Sequence, residues 1–149
     1  MVRRVTIVLF VLAMALGATG CGGGSGDSDA ERPLSKREYI DRANTLQAEA
    51  AKVFATLDGA AAPATPAAAT THLAALDRLI DGFGKLRPPR DWRDEHATLV
   101  GSLRTMRESM STISRASASS AAIVQTQLAR YRAAQRDFER AVRDINSSR

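Results

Sequence analysis

From Tyr39 onward the apolar residues fall at alternating spacings of four and three, a rhythm that restricts this chain to amphipathic helices packed along shared seams. Tyr39, Ala43, Leu46, Ala50, Val53 and Leu57 make the first seam, with Ile40 and Phe54 beside it. Arg37, Asp41, Arg42, Glu49 and Lys52 fall elsewhere on the wheel and face water. Ser35-Lys36-Arg37-Glu38 is a capping box: the Ser hydroxyl accepts from the amide three residues on while the Glu carboxylate reaches back. Asp58-Gly59 closes the helix.

Three further helices follow by the same logic. Residues 59–71 are rich in Ala, Pro and Thr, and Pro63 and Pro66 forbid a continuous helix through them, so they read as a linker. A second helix is expected to begin between Ala67 and Thr71, with Leu73, Leu76, Ile80 and Phe83 inward, and to stop at Arg87-Pro88-Pro89. Asp91 is the expected cap of a third helix, with Asp94 and Glu95 matched to its positive end. Its seam is Trp92, Leu99, Leu103, Met106, Met110 and Ile113. A single helix from Arg90 to Asn146 would be 57 residues and roughly 85 Å long, more than the other helices can cover. A bend or break is therefore expected at Ser117-Ala118-Ser119-Ser120, before a fourth helix with Val124, Leu128, Tyr131, Phe138, Val142 and Ile145 inward.

No alternating run bounded by turn residues suggests a strand. The expected fold is all-α: an antiparallel up-down four-helix bundle over residues 35–149, with a three-helix bundle containing one long bent helix as the alternative.

The chain's beginning has a different character. Arg3 and Arg4 precede an apolar run from Val5 to Leu16, a dozen residues where a membrane-crossing helix needs about 20. Gly17-Ala18-Thr19-Gly20 then leads into Cys21, the only cysteine. A charged head, a short apolar middle and small residues are the parts of an export signal, expected over residues 1–20. Residues 21–34, dominated at first by Gly, Ser and Asp, read as a flexible tether. Without the signal, twenty-one basic side chains less Arg3 and Arg4 stand against sixteen acidic ones, leaving +3. That modest excess forms no basic stripe with aromatic neighbours, so nucleic acid is not an expected partner.

Chemistry-bearing motifs are sparse. A di-metal bundle site uses Glu-x-x-His pairs, but Ala69 and Arg93 stand three residues before His72 and His96, so no metal is expected. Both histidines lie near helix starts and read as surface groups. Met106 and Met110 read as core filling. The serines from Ser109 to Ser120 lack a Gly-x-Ser-x-Gly elbow or a Ser-x-x-Lys, and no catalytic residue is assigned. Tyr39, Trp92, Arg130 and Tyr131 are the candidates for contact with a small ligand or partner, since aromatic groups near helix ends can line a pocket mouth. Their places on the apolar seams fit ordinary core packing equally.

Ala18-Thr19-Gly20-Cys21 resembles the lipobox of bacterial lipoproteins, with Ala18 where Leu is usual; an ordinary secretory signal is the alternative. The lipobox resemblance implies that Cys21 becomes the first residue and carries a diacylglyceryl group and an N-acyl chain, with no other cofactor. It further implies an anchor on the extracytoplasmic face of the cell membrane. Leu34-Ser35-Lys36-Arg37-Glu38-Tyr39-Ile40 and Leu86-Arg87-Pro88-Pro89 are similar to stretches of small helical lipoproteins of high-GC Gram-positive bacteria. Those proteins often carry a Cys soon after the first stretch, where this chain reads Asn44-Thr45-Leu46-Gln47, so a disulfide of that kind is absent. The expected function is a lipid-anchored interaction or binding module of the cell envelope with an envelope protein as partner. The alternative is a small-ligand carrier using the bundle core or one end of it.

Overall fold

The capping box at Ser35 forms as its spacing requires. The Glu38 amide donates to Ser35 Oγ at 3.3 Å and the Ser35 amide donates to Glu38 Oε2 at 2.9 Å. The Ser35 hydroxyl also donates to Glu38 Oε2 at 2.7 Å, and this bond, followed by the one from the Ser35 amide, holds the Glu38 pKa below its ordinary value. From this cap the first helix, α1, runs Lys36–Asp58. The computed structural model describes residues 32–58, 66–116 and 120–148. The remaining elements are α2, Pro66–Gly84, a 3-10 turn at Arg90–Trp92, α3, Arg93–Arg115, and α4, Ala121–Ser147. Together they make an all-α, up-down four-helix bundle with packing between adjacent helices. The expected signal at 1–20, Cys21, and most of the tether and linker lie outside the described residues.

Several local boundaries differ from the sequence reading. Helix α2 begins at Pro66, inside the expected linker, because proline is tolerated in a first helical turn that has no use for its missing N–H. The tether expected through Leu34 is shorter, since the Leu34 amide donates to the Arg87 carbonyl at 2.9 Å and the Leu34 side chain packs on the core. Asp91 does not cap α3. The Trp92 amide instead donates to the Pro89 carbonyl, closing the 3-10 turn, and Trp92 stands at the N-cap with no side-chain cap bond. At the other end, α3 stops at Arg115 and Ala116 is extended, so α3 and α4 are separate helices rather than one bent helix.

The helices are not equally close. The α3–α4 pair packs most extensively, and small residues at seven-residue spacing, Ser102 and Ser109 on one helix and Ala134 and Ala141 on the other, are buried on both. The Ser109 hydroxyl is satisfied within its own helix, donating to the Thr105 carbonyl at 3.0 Å. Helix α2 packs next most extensively, against α3, while α1 makes the fewest backbone-level contacts. It approaches α2 at Gly82, where a Cβ would lie 2.6 Å from Leu46 Cδ2. Elsewhere it reaches the core through large side chains, as in the edge-to-face contact of Phe54 with Phe138 at 5.4 Å between ring centroids. Met106 and Met110 are fully buried core residues.

Candidate functional site

One group of polar and aromatic side chains, Lys36, Tyr39, Trp92, His96 and Ser148, meets at the end of the bundle where α1 begins, α4 finishes and α3 starts. Trp92 is drawn into the core by the 3-10 turn and is 1% exposed. Its indole Nε1 donates to Ser148 Oγ at 2.8 Å, and Tyr39 meets its ring edge-on at 5.6 Å. Lys36 lies 5.0 Å from the Trp92 ring centroid, donates to the Ser148 carbonyl at 3.1 Å and approaches Asp91 at 3.7 Å. One indole and one ammonium thus join three chain segments far apart in sequence. A cation over an aromatic face contributes about 0.5–1 kcal/mol where exposed.

Beside this group, the Tyr39 hydroxyl and His96 Nδ1 share a hydrogen bond of 2.9 Å between α1 and α3. A second pair links α2 to α4, with His72 Nε2 and the Tyr131 hydroxyl 3.1 Å apart. In each pair the rings also meet edge-on. The chain has two histidines and two tyrosines, and all four are used in these cross-helix pairs. The expectation that both histidines are surface groups is therefore overturned: His72 is buried and His96 half-buried. Burial lowers both histidine pKa values and pushes that of Tyr39 up to about 12. Each pair is neutral near pH 7, which removes the cost of an isolated charge in the core.

The four sequence candidates consequently separate. Tyr39 and Trp92 come together, Tyr131 belongs to the second pair, and Arg130 is exposed and bonded to Glu108 at 2.7 Å. Tyr39 is fully buried, so its hydroxyl is closed to a substrate. Among the described residues no group of three or more His, Cys, Asp or Glu converges as a metal site would require. Glu95 Oε2 and Gln127 Oε1 are buried acceptors that no donor among the described residues reaches. No signal in the sequence marks them, because burial of a single side-chain atom depends on groups brought together by folding.

The same end carries a shallow open cleft lined in part by Lys85, Arg87 and Arg93, a feature that sequence reasoning missed because its residues come from the loop after α2 and the first turn of α3. Among the described residues Ile123 is the one large hydrophobic side chain that is exposed. No described helix is long and apolar enough to cross a membrane. Comparison with known protein families, with curated proteins and with solved structures finds no match for this chain.

Proposed function

We propose that the chain is a lipid-anchored module of a bacterial cell envelope, moored through an acylated Cys21 on the extracytoplasmic face of a membrane and acting by contact with other envelope components rather than by catalysis. One observation carries the reading: the order Arg3-Arg4, apolar Val5 to Leu16, then Ala18-Thr19-Gly20-Cys21 in a chain with no second cysteine. A lone exported cysteine has no internal disulfide partner, and two or more acyl chains anchor a protein stably where one does not.

The bundle supports the non-catalytic half of the proposal. Its tyrosines and histidines are committed to holding helices together, and Tyr39, Trp92 and Tyr131 are closed to solvent. Met106, Met110 and the aromatic seams fill the space a carried ligand would need. Among the described residues Ile123 is the one exposed large hydrophobic side chain, which favours a polar or charged contact surface over an apolar groove for a partner helix.

Metabolic labelling with radioactive palmitate in a bacterial host tests the anchor. The wild-type chain is expected in the membrane fraction carrying label, and Cys21→Ala is expected to carry none. Unlabelled wild-type chain in the soluble fraction contradicts the proposal.

A further inference from the structure

We propose that the cleft formed by Lys85, Arg87 and Arg93 binds the anionic phospholipid headgroups of the leaflet to which Cys21 is moored, an inference that rests on the lipid-anchor reading above. The three cations surround the cleft and all are exposed. Among the described residues none of the three is in an ion pair, and no acidic side chain lines the cleft. Lys36 differs, being engaged by Trp92 and Asp91. Two of the three cations are guanidinium groups, whose planar fork matches phosphate oxygens, and Pro88 and Leu86 give the cleft an apolar component suited to the glycerol side of a headgroup.

Chain connectivity selects the lipid surface over other anions. Pro33 also lines the cleft, and the bond from the Leu34 amide to the Arg87 carbonyl fixes that stretch of chain beside it. Cys21 is twelve residues before Pro33, a span of at most roughly 43 Å when fully extended. An acylated Cys21 would keep this end of the bundle within a tether's length of headgroups. A tethered surface meets a high effective concentration of its ligand, so three cations suffice where a free protein would need more. The three cations are exposed, so the contact is expected to be sensitive to salt.

The test uses the full chain as purified from membranes, with its mass recorded first, reconstituted into vesicles of phosphatidylcholine alone or of an equal mixture with phosphatidylglycerol. Hydrogen exchange is followed at residues 84–93, with the first turns of α4 as an internal reference. The expected result is slower exchange at 84–93 on the anionic vesicles only, reversed by high salt and absent in Lys85→Gln/Arg87→Gln/Arg93→Gln. Because all three side chains are exposed, the variant should retain the wild-type unfolding midpoint.

Equal exchange on both vesicle types overturns the inference, as does slowing that persists in the triple variant. Equal slowing by inorganic phosphate without anionic vesicles assigns the cleft to a free anion and overturns the lipid source. If the mass shows an unmodified Cys21, the anchor reading fails separately, and co-sedimentation of that chain with the two vesicle types decides the cleft. Each neutralised cation should then lower vesicle partitioning about fivefold; unchanged partitioning in the variant overturns the proposal.

Discussion

Helices α3 and α4 are held together in one way and α1 in another. Helices α3 and α4 pack most extensively, and both bury small residues at seven-residue spacing, Ser102 and Ser109 on one and Ala134 and Ala141 on the other. Helix α1 has the fewest backbone-level contacts and is secured by a small number of large or polar side chains: Lys36 and Tyr39 at its start and Phe54 near its far end. Distributed packing tolerates the loss of one contact, whereas a helix held at a few points depends on each. Local opening of α1 should therefore cost less than opening the α3–α4 pair.

The largest effect should come from Trp92→Ala, which removes the residue shared by Tyr39, Lys36 and Ser148. A loss of about 3–5 kcal/mol is expected for a fully buried indole, read from urea unfolding, with amide exchange in α1 accelerated more than in α3 or α4. A small loss confined to no helix would contradict the shared-residue role. Next, Ala134→Leu should cost about 1–3 kcal/mol by overpacking the α3–α4 pair. That variant should leave exchange in α1 close to wild type, sharpening the contrast.

Tyr39→Phe keeps the ring and deletes the bond to His96, and should cost about 1 kcal/mol. The paired groups also give a pH signature. Burial lowers the His72 and His96 pKa values, so the unfolded chain binds protons that the folded chain refuses. The stability tied to the neutral rings is present above the unfolded value of about 6.5 and is lost as pH falls from there through the lowered folded values. Urea midpoints recorded across that window should fall with acidification, and His72→Gln/His96→Gln should flatten the slope. Glu38 contributes separately: its share is present above its ordinary value of 4.5 and is lost as pH falls from there through its lowered folded value. Tyr39 acts at the other extreme: its contribution is lost as pH rises from about 10 through about 12. Smallest should be Gly82→Ala, where the new methyl meets only the movable end of Leu46. A change within about 1 kcal/mol is expected by thermal melting.

The parts of this arrangement governed by neighbours in sequence were legible before the fold was known. The Ser35–Glu38 box and the seams of α3 and α4 are local consequences of residue type and spacing, whereas α2 ends at Gly84, ahead of the stop expected at Arg87-Pro88-Pro89. What escaped the sequence reading depends on groups brought together by folding. In α2 the apolar pattern points to Leu73 and Ile80, yet His72 and Leu79 are the residues buried with Leu76 and Phe83, a stripe turned by roughly half of the ~100° helical step. His72 can occupy that inward position because Tyr131 on α4 satisfies its ring nitrogen. Asp91 likewise looks like a helix cap until Pro89 and the buried Trp92 impose a 3-10 turn and leave its carboxylate to Lys36. The cleft at Lys85, Arg87 and Arg93 is assembled across a loop and a helix start, and periodicity within one element says nothing about such a juxtaposition.

The stability experiments probe how the helices are joined, while the proposed role of the whole molecule turns on the chemistry of one sulfur atom. Intact-mass measurement of the protein recovered from bacterial membranes addresses that chemistry most directly. The account predicts a chain that starts at Cys21 and carries diacylglyceryl and N-acyl groups; recovery with residues 1–20 retained and the Cys21 thiol free would contradict it.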